Sequence, residues 1–120
     1  MENCVFCKIV KGEIPSYKVY EDTNFLAFLS IEPKSPGHTL VIPKEHYRWV
    51  WNVPNAGEYF EVVRKIALAL QKTFNTDFIL SKIVGEEVPH AHIWVLPNSD
   101  VSGGIKDFEN NAERIKRKLV

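Results

Sequence analysis

The sequence predicts an α+β fold in which an antiparallel sheet carries helices on one side. Short runs of strand-like composition follow one another through short turns, and strands joined in that way pair antiparallel. Two longer segments repeat apolar residues at the spacing of an amphipathic helix. A chain of 120 residues is long enough for one domain with its own core and too short for two, so we expect a single domain.

Five segments have the composition or the alternation of β-strands. Residues 17–21 and 24–29 are predicted to form a hairpin that turns at Asp22 and Thr23, and a loop rich in Pro, Ser and Gly follows at residues 31–37. The remaining strands are predicted over residues 38–43, 77–84 and 89–96, with a turn at residues 85–87 between the last two.

Two helices are predicted from apolar spacing and from their end signals. The first opens at Asn55, which has the spacing of a capping box with Glu58, and it ends at Asn75, a residue that tolerates the left-handed conformation. Its core-facing residues are Tyr59, Val63, Ile66, Leu70 and Phe74. The second helix follows Gly103 and Gly104, and its core-facing residues are Ile105, Phe108, Ala112, Ile115 and Leu119.

The charge balance argues against several classes of partner. The chain has 15 basic and 15 acidic residues, whereas binding to nucleic acid or to an anionic membrane surface needs a basic field. The first residues show neither a basic region nor an apolar run, and no segment reaches transmembrane length. We therefore expect a cytoplasmic protein with no nucleic-acid and no membrane partner. The charge balance does not exclude a small phosphate ligand held by local groups.

The most informative segment contains two histidines two residues apart. On a strand, His90, His92 and Trp94 would point to one face while Ala91 and Ile93 would point to a core. Imidazole suits proton transfer, metal ligation and attack on phosphorus near neutral pH. The alternative is an ordinary strand whose histidines lie in solvent.

Cys4 and Cys7 are the only cysteines, and their Cys-x-x-Cys spacing has several interpretations. A disulfide would suit a secreted chain, and a thioredoxin-like redox pair needs a preceding strand for which three residues leave no room. Half of a zinc site is the third interpretation, with His46 and His90 available as the other two ligands. Two free buried thiols are the remaining alternative.

Three segments together resemble the histidine triad family. Residues 90–96 (HAHIWVL) resemble its signature His-φ-His-φ-His-φ-φ, where φ is apolar, with Trp in the third place. Residues 4–15 (CVFCKIVKGEIP) resemble the N-terminal signature of bacterial members, and residues 35–46 (SPGHTLVIPKEH) resemble the central strand. The resemblance implies a five-stranded antiparallel sheet with a long helix packed on it, usually paired as a homodimer. The domain core would span residues 4–97, and a C-terminal helical extension would span about 103–119.

The resemblance also implies a function and roles for individual residues. Members act on nucleotides whose α-phosphate carries a leaving group, through a nucleotidyl-histidine intermediate, and His92 occupies the place of the attacking histidine. His90 would orient the site and ligate a structural zinc with Cys4, Cys7 and His46, and His38 would support the triad from the neighbouring strand. The nucleotide-binding candidates are Phe6 and Ile9 with Phe25 or Phe28, and Ser30 beside them.

Three departures from the family pattern bear on activity. Trp94 replaces a third histidine, and an indole N–H donates a hydrogen bond but cannot carry a proton to a leaving group. Ser30 stands where many members have a ribose-binding aspartate, and Glu86 and Glu87 fill a phosphate-facing loop. The alternatives are a hydrolase, a nucleotidyl transferase like the branch that has glutamine at the third place, and a zinc-stabilised nucleotide-binding module without turnover.

Overall fold

The computed structural model describes residues 3–119, and within them five strands form one sheet. The order across the sheet is β1-β2-β3-β5-β4, and every neighbouring pair is antiparallel. This confirms the predicted α+β fold with a five-stranded antiparallel sheet. The elements in chain order are α1 (Val5–Val10), β1 (Lys18–Glu21), β2 (Phe25–Leu29), β3 (Thr39–Pro43), a 3₁₀ helix (Val50–Asn52), α2 (Ala56–Phe74), β4 (Ile79–Ile83), β5 (Ile93–Pro97) and α3 (Phe108–Lys118).

The long helix α2 packs on one face of the sheet, where it forms the main core. All five residues predicted for its core face are buried. Tyr59 is fully buried, and its hydroxyl donates a hydrogen bond of 2.7 Å to the carbonyl of Val41 in β3. Burial raises the pKa of Tyr59, so this hydroxyl stays protonated and the bond ties the helix to the sheet. α3 packs beside α2, and Arg114 donates to the carbonyl of Thr73 at 3.1 Å.

The two ends of α2 compare differently with the prediction. At the C-terminal end Asn75 adopts φ 51°, which confirms the left-handed stop. At the N-terminal end Asn55 is the cap residue, but its side chain makes no hydrogen bond to the helix backbone. Instead its amide donates to the Glu58 carboxylate at 3.2 Å, so the two side chains of the predicted capping box bond to each other.

The prediction that helices lie on one side of the sheet was incomplete, because α1 covers the opposite face. Phe6 and Ile9 of α1 are buried against a second apolar cluster that includes Leu26, Phe28 and Leu40. The six-residue helix is too short to show apolar periodicity in the sequence. The sheet is therefore covered on both faces, and the candidate site lies on the α1 face.

The largest differences from the predicted boundaries are at the start of α3 and the start of β5. Ile105 was assigned to the last helix, but α3 begins at Phe108 and Ile105 is 43% exposed, because Gly103 has φ 119° and a turn precedes the helix. The last strand was predicted to begin at residue 89, but β5 begins at Ile93, since the backbone N–H groups of His90 and Ala91 bond outside the sheet. Within residues 3–119, no helix is long and apolar enough to cross a membrane.

Candidate active site and metal centre

The face of the sheet under α1 contains a cavity of about 310 Å³. α1 contributes Phe6 and Ile9 to its wall, β2 contributes Phe28, and β3 contributes Leu40. A concave, mainly apolar wall with a few polar groups is the usual form of a small-molecule site. The structure therefore brings the residues predicted for an apolar base pocket to one place.

One predicted alternative for this pocket was wrong. Phe25 stacks on Tyr59 with ring centroids 5.1 Å apart in the core under α2, because side chains three positions apart on a strand face opposite sides of the sheet. Phe25 and Phe28 therefore cannot line the same wall. Ser30 does line the cavity, and its Oγ accepts a hydrogen bond from the backbone N–H of Glu32 at 3.2 Å.

His92 lies on the cavity wall just before β5, with only 5% of its surface exposed. Its Nδ1 is 2.7 Å from the carbonyl oxygen of His90, and since that oxygen can only accept, Nδ1 carries the proton. In the neutral ring, Nε2 then carries the lone pair. Burial lowers the pKa of His92, which outweighs the opposing effects of the His90 carbonyl and of Glu87. His92 is therefore a neutral imidazole with a fixed tautomer.

His90 is fully buried and connects His92 to a second group of side chains. Its Nε2–H donates to the carbonyl of Pro43 at 2.9 Å, which leaves Nδ1 as the unprotonated nitrogen. That nitrogen is 3.2 Å from Cys4 Sγ and 3.5 Å from Cys7 Sγ. The prediction that His90 belongs to the strand was wrong, since its N–H donates at 2.8 Å to the carbonyl of Val88 and β5 begins only at Ile93. The predicted facing holds, because the rings of His90 and His92 both meet Phe6 while Ala91 lies in the core under α2.

Cys4, Cys7, His46 and His90 form a cluster that could hold a metal ion. Their ligand atoms all lie within 4.8 Å of one another, and Cys7 Sγ is 3.3 Å from His46 Nδ1. A tetrahedral site with bonds of about 2.3 Å to sulfur and about 2.1 Å to nitrogen places its ligand atoms about 3.3–3.8 Å apart. The donor set suits a four-coordinate metal, and the ligand atoms are within about 1 Å of the separations that such a site requires.

The Cys7 thiol of this cluster is protonated unless a cation is near. Burial, with a contribution from Cys4, raises the pKa of the Cys7 thiol to about 11. Both cysteines are free and buried. Cys4 also caps α1, because its Sγ accepts the backbone N–H of Cys7 at 3.3 Å. A divalent ion would favour both thiolates and hold α1 beside His90.

His38 precedes β3 and is 1% exposed. Its Nδ1 accepts the backbone N–H of Lys34 at 3.1 Å, and among residues 3–119 its Nε2 has no hydrogen-bond partner. Burial, and to a lesser degree the charge of Lys34, lowers the pKa of His38 to about 4. The ring meets Trp94 edge-on with centroids 4.7 Å apart, so this neutral histidine supports the indole.

Trp94 lies in β5 directly between Leu40 of β3 and Lys82 of β4, and it forms part of the cavity wall. Its side chain is half-buried, and the Lys82 ammonium is 5.4 Å from the ring centroid. The spacing on β5 holds as predicted, because Trp94 faces the α1 side while Ile93 and Val95 enter the core under α2.

Sequence reasoning missed several residues of the cavity wall. Glu32 and Lys34 reach it from the loop after β2, and Ile14 and Val88 add apolar surface. The only signal in the sequence was their proximity to predicted site residues, since Glu32 and Lys34 closely follow Ser30. Of the two predicted loop carboxylates, the structure places Glu87 on the wall.

Comparison with known proteins agrees with this geometry. The chain matches the HIT domain over residues 11–101. It is 46% identical to the protein named hit from Bacillus subtilis (strain 168), over 99% of this chain and 96% of the relative. It is 36% identical to an adenosine 5′-monophosphoramidase of Schizosaccharomyces pombe, over 86% of this chain and 80% of that protein.

A solved structure extends the likeness to three dimensions. The crystal structure of a zinc-bound histidine triad family protein from Mycobacterium smegmatis has a TM-score of 0.86 to this chain at 32% identity. The likeness covers 98% of this chain and 94% of that one. Because the domain match, the sequence relatives and the structural likeness all span most of the molecule, the chain belongs to the histidine triad (HIT) family.

Proposed function

We propose that the protein is a nucleotide hydrolase or nucleotidyl transferase that acts at the α-phosphate through a nucleotidyl-histidine on His92. One observation carries this proposal. His92 donates from Nδ1–H to the His90 carbonyl at 2.7 Å, so its Nε2 is unprotonated and has a free lone pair at the wall of an apolar cavity. The related adenosine 5′-monophosphoramidase supports nucleoside phosphoramidates as one substrate class, and dinucleoside polyphosphates are the other.

The proposed reaction has two steps, and in each step one bond to the α-phosphorus forms while another breaks. In the first step, Nε2 of His92 forms a bond to the α-phosphorus, and the leaving group departs with the electron pair of its own bond. In the second step, water or another acceptor attacks the same phosphorus, and the P–N bond returns its electron pair to His92. When water is the acceptor, its proton is released to solvent. The fixed tautomer keeps the attacking nitrogen unprotonated at neutral pH.

Trp94 restricts the first step. An indole N–H can stabilise a phosphate oxygen by a hydrogen bond, but it does not transfer a proton. A leaving group that needs a proton must take it from water, which slows its departure. We therefore expect slower turnover of simple alkylamine phosphoramidates than an enzyme with histidine at this position would show.

A structural zinc ion would be held by Cys4, Cys7, His46 and His90. Such an ion supplies no step of the reaction and fixes His90, whose carbonyl holds His92 in its tautomer. A reducing compartment such as the cytoplasm keeps both thiols available as ligands.

The metal assignment has a direct test. The protein purified without added chelator should contain about one zinc ion per chain by elemental analysis, and His46→Ala should lose it. His92→Ala is the matched histidine control, and it should keep the metal. A chelator should lower the melting temperature of the wild type and of His92→Ala far more than that of His46→Ala. Equal metal content in all three proteins would contradict the ligand set.

The test of the function is turnover of a panel of nucleoside 5′-phosphoramidates and dinucleoside polyphosphates. We expect the wild type to release nucleoside monophosphate slowly from at least one class and His92→Ala to release none, with far-UV circular dichroism confirming that the variant is folded. Equal turnover by both proteins would refute the assignment of His92 as nucleophile.

A second candidate function is a nucleotide-binding module without turnover. Trp94 in place of an acid, Ser30 in place of a carboxylate and Glu87 on the cavity wall favour it. This candidate predicts that nucleoside monophosphates raise the melting temperature of the wild type and of His92→Ala equally, with no product from any substrate. Product formation by the wild type alone would exclude it.

We also propose that the chain pairs as a homodimer through α2 and the edge strand β4. Phe60 and Leu68 lie two helical turns apart on the outer side of α2 and are 44% and 41% exposed, and β4 is the edge strand of the sheet in contact with that helix. Apolar side chains in this arrangement are typical of an interface. Light scattering should give twice the chain mass, and Leu68→Glu should shift it toward the monomer.

A further inference from the structure

The loop between β4 and β5 is held in one place at the rim of the cavity. Gly85 lies against the ring of Trp49, and a Cβ atom at residue 85 would meet that ring at 2.3 Å, so any other residue would displace the indole. Three residues later, Val88 packs against the apolar cluster under α1. The backbone of the loop is therefore packed on both sides of Glu87, while the Glu87 side chain is exposed.

The carboxylates of this loop differ in position. Glu87 forms part of the same cavity wall as His92 and Trp94, and it is close enough to His92 to act on the charge of the ring. Glu86, its exposed neighbour, is absent from that wall among the described residues. The chain thus contains a matched pair of glutamates, one inside the site and one beside it.

The order of the strands gives the cavity a direction. The apolar pocket formed by α1 and β2 lies at one end, His92 lies at the start of β5, and the β4–β5 loop with Glu87 lies beyond it. A nucleotide with its base in the apolar pocket and its α-phosphate at His92 would therefore have Glu87 on the same wall as its leaving group.

We propose that Glu87 is a specificity-determining residue that makes the site favour nucleotides whose leaving group carries a positive charge over those whose leaving group is a polyphosphate. This inference rests on the function proposed above and selects between its two substrate classes. A carboxylate on the cavity wall attracts an ammonium group and repels phosphate, and its exposure to water keeps the effect moderate.

The other charges near the cavity do not cancel this preference. On the wall, Glu32 and Lys34 lie together at the far end, after β2, where their opposite charges offset each other. Near the loop, the Arg48 guanidinium lies 4.0 Å from the centroid of Trp49, and the Lys82 ammonium lies over Trp94. Arg48 acts on the charge of the His92 ring in the direction opposite to Glu87. Unlike Glu87, however, neither Arg48 nor Lys82 forms part of the cavity wall among residues 3–119.

The test uses three phosphoramidates of one nucleoside that differ only at the far end of the amine. Propylamine is neutral there, 1,3-diaminopropane carries an ammonium group, and β-alanine carries a carboxylate. We expect the wild type to have a higher kcat/KM for the ammonium amidate than for the carboxylate amidate. Glu87→Gln should reduce that ratio about tenfold, as expected when an exposed carboxylate attracts one unit charge and repels the other through water over about 6 Å. Glu86→Gln should change it less than about twofold, and added salt should weaken the wild-type preference.

The outcomes separate the two proposals. If Glu87→Gln leaves the ratio unchanged, or Glu86→Gln lowers it equally, the role of Glu87 is refuted even though turnover continues. If the wild type turns over none of the three amidates, catalysis by His92 fails, and the dissociation constants of the same compounds test Glu87 separately. In that case the ratio of dissociation constants should still favour the ammonium amidate and should fall in Glu87→Gln, and equal affinities would overturn the inference.

Discussion

His38 should make the stability of the protein depend on pH in the weakly acidic range. Its ring is buried and neutral, and its pKa is about 4 in the folded protein against an ordinary value of 6.5. Between these two values the unfolded chain binds a proton that the folded chain does not, so stability is complete above about pH 6.5 and falls as the pH decreases toward 4. One pH unit corresponds to about 1.4 kcal/mol, so acidification from about pH 7.5 to 5 should cost about 2 kcal/mol through His38.

The assay is urea denaturation of the wild type and of His38→Asn at the two pH values, in a chelator so that bound metal does not differ between samples. Asparagine keeps an acceptor near the position of Nδ1 for the backbone N–H of Lys34 but does not titrate. His90 and His92 titrate in both proteins, so the difference between the two pH dependences belongs to His38. We expect the wild type to lose about 2 kcal/mol more than the variant.

Parallel pH dependences in the two proteins would refute this reasoning. If His38→Asn does not fold, the ring signals of His38 in the wild-type NMR spectrum answer the same question. They should show no titration down to about pH 5, and a midpoint near 6.5 would contradict the inferred burial of the neutral ring.

Two further expectations concern the packing that positions the site. Gly37 has φ 80°, and a Cβ atom there would lie 2.5 Å from the ring of Phe74, so Gly37→Ala should lower the free energy of unfolding by about 2–4 kcal/mol. Gly57→Ala, with nothing within 4 Å, should cause no loss in the same chemical denaturation. Tyr59→Phe removes the buried hydrogen bond to β3 and should cost about 1–2 kcal/mol, seen as a lower melting temperature. Tyr17→Phe, at a 39% exposed ring, should change it little, and equal effects would contradict the role of the Tyr59 hydroxyl.

Much of the fold could be predicted where local patterns are long. The 19 residues of α2 repeat their apolar side chains over several turns, and Asn75 marks the end of the helix, so both agree with the structure. The six residues of α1 are too few to show a period, and its position depends on contacts with strands distant in the sequence. Ile105 has the spacing of the helix that follows, but the backbone turn at Gly103 excludes it.

In the candidate site, likewise, local sequence patterns predicted some features, whereas others depend on contacts between segments distant in the sequence. Alternation on β5 correctly placed Trp94 on the α1 face, and the Cys-x-x-Cys spacing pointed to a metal site. However, the pattern placed His90 on the strand, because the bonds of its backbone to residues outside the sheet cannot be seen in the local sequence. The choice between Phe25 and Phe28 likewise needed the register of β2, and which loop glutamate faces the cavity needed the position of Gly85.

The most direct measurement of the central claim is the mass of the intact protein after a rapid quench with substrate. A phosphoramidate bond to histidine is stable in alkaline denaturant, so the quench should preserve the intermediate. We expect the wild type to gain the mass of one nucleoside monophosphoryl group, with fragmentation assigning it to His92, and His92→Ala to gain nothing. Product formation without any adduct, or an adduct on another residue, would contradict nucleophilic catalysis by His92.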